Sequence, residues 1–188
     1  MSTNSVKKYS GGIFFAALTI GVYLLYIYYG KIFAKNISLH GQEKVYLYIP
    51  TGSDMHDLEK IITDANFLLN ESSFWWMVEK KKFTHVKPGK YTVRDGMTNS
   101  ELVNILRAGA QTPVMVKVPS VRSKAVFAGT IARQLEVDST DLVRLLYDEG
   151  FLENKGFTVE TVLGAFIPET YEMFWNQDAE IFFDKMMK

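Results

Sequence analysis

Apolar and polar residues follow one strand–turn–helix pattern twice along the chain. The first copy covers residues 49–62 and the second covers residues 93–106, with Gly52 and Gly96 at the turns. Counted from each glycine, apolar residues recur at the sixth, ninth and tenth positions, which lie on one face of a helix. The repetition predicts small strand–turn–helix units that pack on each other.

Polar residues at the expected helix ends agree with this pattern. Asp54 with Asp57 and Thr98 with Glu101 are spaced as capping boxes, and Gly109 is placed as a C-cap. Together with the remaining periodicity, these signals predict most of the secondary structure. Strands are expected over residues 44–49 and 113–118, and a turn that leads into a strand is expected over 86–93. Helices are expected over 55–64, within 65–83, and over 99–108, 123–135, 138–150 and 178–188.

A looser third copy of the pattern begins after Val118 and Pro119, with Phe127 and Ile131 on its apolar face. No low-complexity linker divides the body. Any domain boundary must therefore fall near residues 118–119, where this third copy begins. The division of the chain is then a tail of residues 1–10, an apolar helix over 11–31, a first module over 44–118 and a second domain over 119–188.

Residues 11–30 form a run of 20 residues without a charge. At about 1.5 Å per residue, a helix of this length spans roughly 30 Å, the thickness of a bilayer's hydrocarbon core. A cleaved signal peptide is the alternative, but its apolar region is normally shorter and ends in a small-residue cleavage site. We therefore expect a retained transmembrane helix that contacts membrane lipid. Lysines flank both sides of the run, so charge alone does not orient it.

The composition of the body argues against several classes of partner and of functional site. From Asn36 onward there are 17 basic and 21 acidic residues, a net charge of −4, which argues against nucleic acid as a partner. The chain has no cysteine, so disulfides and thiolate chemistry are excluded. Its three histidines, His40, His56 and His85, lack the paired spacing of a metal site, and no metal is expected.

Glutamates and tryptophans in the sequence are candidates for proton transfer and for sugar binding. Glu169 and Glu172 lie in an aromatic-rich segment, where an apolar setting could raise a carboxyl pKa for proton transfer. The simpler interpretation is a solvated turn with packed aromatic rings, because no second acid, base or nucleophile is near in sequence. Trp75 and Trp76 could stack on sugars, but adjacent helical residues diverge by about 100°, so at least one is expected in the core. The lysines at positions 80–82 are expected to be a solvated helix end.

The chain resembles the MltG (YceG-like) family of endolytic murein transglycosylases in the order and spacing of its motifs. These are the apolar run, IPTG with its helix, KPGKYTV, RDGMTNSELVNIL, VMVKVPS and GAFIPETYEMFWN, which together cover nearly the whole chain. Two departures concern the last motif. Val162-Leu163-Gly164 lacks the acid of the family's Leu-Glu-Gly, and Pro168-Glu169-Thr170-Tyr171 replaces PDTY or PNTY.

The resemblance implies an α+β fold. A single N-terminal transmembrane helix would precede a LysM-like strand–helix module at 44–118 and the start of a mixed α/β catalytic domain at 119–188. The implied reaction cleaves MurNAc–GlcNAc bonds in nascent glycan strands and leaves 1,6-anhydroMurNAc ends. The family's catalytic glutamate lies further downstream, so it is expected beyond Lys188 and no catalytic residue is assigned within this chain. No cofactor or metal is implied.

The same resemblance implies partners and a location. Peptidoglycan glycan strands are the expected substrate, membrane lipid is expected to contact residues 11–30, and cell-wall synthesis enzymes are a further candidate class. The body is expected on the extracytoplasmic side of a bacterial inner (plasma) membrane. The glycan loops of a LysM module would lie near residues 51–53 and 95–99, although helix capping already explains these residues. The alternative function is a non-enzymatic, membrane-anchored peptidoglycan-binding or scaffold protein.

Overall fold

The structure is a computed structural model that describes the backbone of residues 4–187 and the side chains of residues 15–187 other than residue 31. It has a mixed α+β architecture with two hydrophobic clusters and two antiparallel two-stranded sheets in this part of the chain. The elements are, in order, α1 (Asn4–Phe33), β1 (Lys44–Ile49), α2 (Met55–Ala65), α3 (Glu71–Lys80), β2 (Gly89–Arg94), α4 (Asn99–Ala108), β3 (Val114–Lys117), α5 (Lys124–Ala132), α6 (Ser139–Leu145), α7 (Glu149–Asn154), a 3-10 turn (Val162–Ala165), β4 (Thr170–Met173) and α8 (Ala179–Met186).

The first cluster combines the β1–β2 sheet with helices α2, α3 and α4. The repeated apolar positions behave as the sequence predicts, because Leu58, Ile62, Leu102 and Leu106 are all at most 1% exposed. Both predicted capping boxes are present, at the starts of α2 and α4. Gly109 ends α4 in the left-handed region at φ 70°, which confirms it as the C-cap.

A buried asparagine network joins the segment after α1 to the starts of α3 and α4. Asn36 donates from Nδ2 to Asn99 Oδ1 at 2.7 Å and to the carbonyl of Asn70 at 2.9 Å. Its Oδ1 accepts the Asn70 N–H at 2.8 Å, and Asn99 donates to Ser73 Oγ at 2.9 Å. The segment between α1 and β1 is therefore hydrogen-bonded into the body, and Ile37 within it is buried.

The second cluster is formed by β3, β4 and helices α5 to α8. Phe127 stacks on Phe166 at 4.5 Å between ring centroids, and Phe182 and Phe183 pack around this pair. All four rings are at most 5% exposed, so their burial supplies much of this core. Strand β3 pairs with β4, with Val114 opposite Met173, and its Val116 is fully buried in this cluster. In the predicted division of the chain, β3 belongs to the first module, before the boundary expected at residues 118–119.

Two secondary-structure predictions were wrong. The single helix expected over residues 138–150 is two helices, because the Asp148 carboxylate accepts the Phe151 N–H and begins α7. The segment after Pro168 was expected to be a packed turn, yet residues 170–173 form strand β4. The end of the last predicted helix at Lys188 lies outside the described residues.

Helix α1 confirms a long N-terminal helix but not a transmembrane one. Within the part of the chain that the structure describes, no helix is long and apolar enough to cross a membrane. The predicted transmembrane helix over residues 11–31 is therefore not supported. At its C-terminal end, α1 packs on the body, where the Tyr28 ring meets the Trp76 ring edge-on at 5.6 Å. The predicted tail at residues 1–10 lies outside the described side chains.

Candidate functional site

A cleft of about 840 Å³ opens between the turn after β1 and the second cluster. Its wall includes Thr51 from the first cluster and a series of acidic side chains from the second. The acidic residues are Glu136, Asp138, Asp141, Asp148, Asp178 and Glu180. The cleft lies where the two clusters approach each other, so it is a candidate ligand site.

Three of these acids are helix caps. Asp138, Asp148 and Asp178 accept backbone N–H groups at the starts of α6, α7 and α8, at 2.6, 2.9 and 2.8 Å. The N–H of Thr140 holds the pKa of Asp138 below its ordinary value of 3.8. A carboxyl group with a lowered pKa stays ionised near neutral pH, so Asp138 is unsuited to donate a proton. The cleft can accept hydrogen bonds from hydroxyl or amide groups.

Gln177 adds a further acceptor to this wall. Its Oε1 atom is buried and has no hydrogen-bond partner among the described residues. The only cation on the wall, within the described residues, is Arg144, which forms an ion pair with Asp141 at 3.2 Å. The net character of the cleft is therefore acidic.

Contacts between the clusters fix one edge of the cleft. The Glu136 carboxylate accepts the Thr51 N–H at 2.5 Å and the Thr51 hydroxyl at 2.7 Å. Beside this contact, the rings of Tyr48 and Trp175 meet edge-on at 5.0 Å. The turn over residues 51–53, one of the two loops expected to hold glycan in a LysM module, thus uses its Thr51 donors within the chain.

The second expected loop is also used internally. Asp95 accepts the Leu39 N–H at 2.8 Å, Thr98 and Glu101 form the capping box of α4, and Asn99 is 1% exposed within the asparagine network. These contacts agree with the structural interpretation of residues 95–99 made from the sequence. In both loops, therefore, part of the hydrogen-bonding groups is already engaged within the chain.

The two glutamates weighed for catalysis are not gathered into a site. Glu169 is exposed, and its carbonyl accepts the Val118 N–H at 2.9 Å. Glu172 is exposed on β4 opposite Met115, which is itself 61% exposed. No contact with a second acid, a base or a nucleophile is present for either carboxylate among the described residues. The geometry therefore favours the simpler interpretation of both residues.

The other residues singled out in the sequence are accounted for by local contacts. Trp75 packs edge-on against buried Phe74, and Trp76 packs on Tyr28, so the expected core role is confirmed. Helix α3 ends at Lys80, and the Lys81 ammonium donates to Asn104 Oδ1, as expected of a helix end. The histidines are exposed and separate, and the described residues contain no cluster of His, Asp or Glu able to hold a metal.

One surface was missed by the sequence analysis. The outward side of the β1–β2 sheet carries two exposed tyrosines and three basic residues, which we call the tyrosine–lysine face. Its members are Lys44, Tyr46, Tyr48, Lys90, Thr92 and Arg94. The alternation in KVYLYI was a sufficient signal for the tyrosines, because residues two apart on a strand share a face.

Comparison with known proteins decides the family. The family model described as "YceG-like family" matches residues 47–188, which is more than half of the chain. The chain belongs to the YceG-like family. This confirms the resemblance drawn from the order of its motifs. The comparison with curated proteins found no match.

Among solved structures, this YceG-like chain is similar to a crystal structure from Listeria monocytogenes that is described as a yceG-like protein. The two chains are 25% identical, and the match covers 78% of this chain and 53% of the other, with a TM-score of 0.42. A score at this level carries no argument about the fold. The YceG-like chain thus spans about half the length of the structure that it matches.

Proposed function

We propose that the protein containing this chain is a lytic transglycosylase that cuts peptidoglycan strands internally. Its substrate is the bond between MurNAc and GlcNAc, and its product carries a 1,6-anhydroMurNAc end. The observation that supports the proposal is membership of the YceG-like family over residues 47–188. Because the chain spans about half of the matched structure, the proposal concerns the activity of the whole protein.

The proposed reaction needs one carboxyl group and no water. The carboxyl group protonates the glycosidic oxygen as the bond from that oxygen to C1 breaks. The 6-hydroxyl of the same MurNAc then attacks C1 and returns a proton to the carboxylate. An internal nucleophile gains from proximity, so the pair of carboxylates typical of hydrolases is unnecessary. Since Glu169 and Glu172 are exposed and apart, neither is assigned the proton transfer.

The proposal places the body on the extracytoplasmic side of the plasma membrane, where glycan strands are made. Association of α1 with an apolar phase is supported by its side chains, which include Phe15, Leu18, Val22 and Leu25, each at least 54% exposed. A continuous apolar surface of this kind needs an apolar neighbour. Separation of cell membranes from the soluble fractions tests this placement, and recovery of the intact protein free of lipid would contradict it.

A non-enzymatic peptidoglycan-binding or scaffold protein is the second candidate. It is favoured by one observation, namely that neither Glu169 nor Glu172 contacts a second acid, a base or a nucleophile among the described residues. The two candidates predict the same binding behaviour and differ only in product formation.

The decisive experiment incubates the complete gene product that contains this chain with purified peptidoglycan and analyses the soluble fragments by mass spectrometry. Fragments ending in 1,6-anhydroMurNAc are expected. Glu169→Gln and Glu172→Gln serve as matched controls and should leave the product yield unchanged. Hydrolytic, reducing ends or an absence of cleavage would refute the transglycosylase and favour the binding protein. Loss of product in either variant would show that the replaced glutamate takes part in the reaction.

A further inference from the structure

The strongest unexplained feature of the molecule is the environment of Lys90. Its side chain is only 9% exposed, although lysines are almost never buried without a partner. No described residue forms an ion pair or hydrogen bond with its ammonium group. The group lies 3.9 Å from the ring centroid of Tyr46 and 6.0 Å from that of Tyr48. The two rings hold the ammonium group by cation–π attraction, and its three N–H donors have no hydrogen-bond partner among the described residues.

The register of the sheet explains how this site is built. Tyr48 lies directly opposite Lys90 on the paired strands, and Tyr46 lies opposite Thr92, so both rings flank the lysine stem. Beside β2, Thr112 donates its N–H to the Lys90 carbonyl at 2.7 Å, and its hydroxyl is 2.7 Å from the Thr92 hydroxyl. These contacts fix the backbone of Lys90 and the hydroxyl of Thr92 next to it on the sheet.

The charge of the surroundings indicates the sign of the ligand. The tyrosine–lysine face carries Lys44, Lys90 and Arg94, and no acidic side chain belongs to it. Lys44 also lies against Tyr46, at 6.0 Å from the ring centroid. An ammonium group that has no hydrogen-bond partner among the described residues and lies beside two further cations attracts an anion. The face is therefore complementary to carboxylates.

The exposed rings indicate the second part of the ligand. Tyr46 is 42% exposed and Tyr48 is 43% exposed, and residues two apart on a strand are separated by roughly 7 Å. Two neighbouring rings of this kind offer flat apolar surfaces with polar edges, which suit the apolar faces of sugars. Trp175 extends this aromatic surface towards the acidic cleft by its contact with Tyr48. A simple anion or lipid phosphate would use the cations but not the rings.

We infer that the tyrosine–lysine face binds an acidic amino-sugar glycan, with a carboxylate of the glycan paired to Lys90 and sugar rings placed against Tyr46 and Tyr48. The inference rests on the proposed function for the identity of that glycan as peptidoglycan, whose stem peptides carry free carboxylates. It assigns substrate binding to the outer side of the sheet and not to the two loops at its ends.

The test measures binding of a soluble GlcNAc–MurNAc fragment bearing its stem peptide to the full chain in non-ionic detergent, by NMR titration. Lys90→Met keeps the apolar stem and removes the charge, and it should weaken binding about tenfold, as expected for loss of a charge-assisted hydrogen bond. Tyr48→Leu should weaken it several-fold. Lys124→Met is the matched control, because the Lys124 ammonium also lies over a tyrosine, 4.2 Å from the Tyr147 ring centroid, but outside the face. This control should bind like the parent.

Three results would overturn the inference. The first is equal affinity of the parent, Lys90→Met and Tyr48→Leu chains for the acidic fragment. The second is equal affinity of the parent for the acidic fragment and for uncharged chitotetraose. The third is Lys90-dependent binding to phosphatidylglycerol vesicles without binding of the fragment, which would make the face a lipid-headgroup site. If the NMR spectrum shows that Lys90→Met does not fold, Tyr46→Leu replaces it in the comparison with the parent. Tyr46 is exposed, and its replacement removes one ring of the tyrosine–lysine face.

Failure of this binding inference can be distinguished from failure of the proposed enzymatic function. Anhydro-ended products from the complete protein, with unchanged binding in the face variants, would overturn only the present inference. Lys90-dependent binding without any product would support the face and refute only the enzyme.

Discussion

Replacement of Asn36 by alanine should destabilise the first cluster more than any exposed asparagine replacement. The Asn36 side chain is 5% exposed and makes three hydrogen bonds, at 2.7, 2.8 and 2.9 Å. Each such bond contributes about 1 kcal/mol net, so their sum is roughly 3 kcal/mol. Alanine also leaves Asn99 Oδ1 without this donor, and Asn99 is 1% exposed, which adds the cost of a buried unpaired acceptor.

Urea unfolding of the full chain in non-ionic detergent, followed by tryptophan fluorescence, measures the change in the free energy of unfolding. Trp75 and Trp76 report on the first cluster, in which both are partly buried. Hydrogen exchange of the Asn70 amide gives a local readout, because this N–H donates to Asn36 Oδ1 and should exchange faster in the variant.

Asn104→Ala is the matched control. Asn104 lies on α4, is exposed, and accepts one hydrogen bond from Lys81 at 2.8 Å. The loss of that bond is offset by the higher helix propensity of alanine, so a change within about 0.5 kcal/mol is expected. A cost for Asn36→Ala no greater than that for Asn104→Ala would refute the structural role given to the network.

Further predictions concern caps, ionisation and the second core. Thr98→Ala should cost about 1 kcal/mol in urea unfolding, since it removes the cap of α4, and an unchanged midpoint would contradict this. Hydrogen bonds from Thr98 hold the pKa of Glu101 below its ordinary 4.5. The contribution of Glu101 to stability should therefore be present above pH 4.5 and disappear as the pH falls through the lowered value, whereas Glu101→Gln should lack this step. Burial raises the pKa of Tyr91 to about 12 from 10.0, so its stabilising effect should be lost as the pH rises from 10 to 12. Tyrosinate absorbance should show this late step in the parent but not in Tyr91→Phe. Leu142→Ala should cost about 2–5 kcal/mol, because Leu142 is 2% exposed, and a cost below 1 kcal/mol would mean that the second cluster is loosely packed.

The features that could be predicted from sequence are those set by neighbouring residues. Capping depends on side chains within three positions of the helix start, so Asp54 and Thr98 could be identified from the sequence as the residues that begin α2 and α4. The strand KVYLYI was predicted to the residue for the same reason, since its period of two is local. The family could be recognised because the order of several short motifs is more specific than any one of them.

The features that could not be predicted depend on partners distant in sequence. Strand β4 has only four residues and owes its extended form to pairing with β3, in which Lys117 lies opposite Thr170. The division between α6 and α7 was missed because Asp148 was read as a helix-interior residue, although it has the identity of an N-cap. Lys90 gave no signal at all, because its burial results from two rings on another strand.

The Thr51–Glu136 contact connects these observations to the candidate site. Glu136 engages both the N–H and the hydroxyl of Thr51, at 2.5 and 2.7 Å, so the turn after β1 cannot offer those donors to a sugar without breaking the contact. The rings of Tyr48 and Trp175 also meet, which brings the tyrosine–lysine face close to the acidic cleft. A glycan that carries carboxylates would be attracted by Lys90 and repelled by the acidic side chains of the cleft. If the proposed glycan binds here, its acidic peptides are expected to point towards the face and its hydroxyl and amide groups towards the cleft.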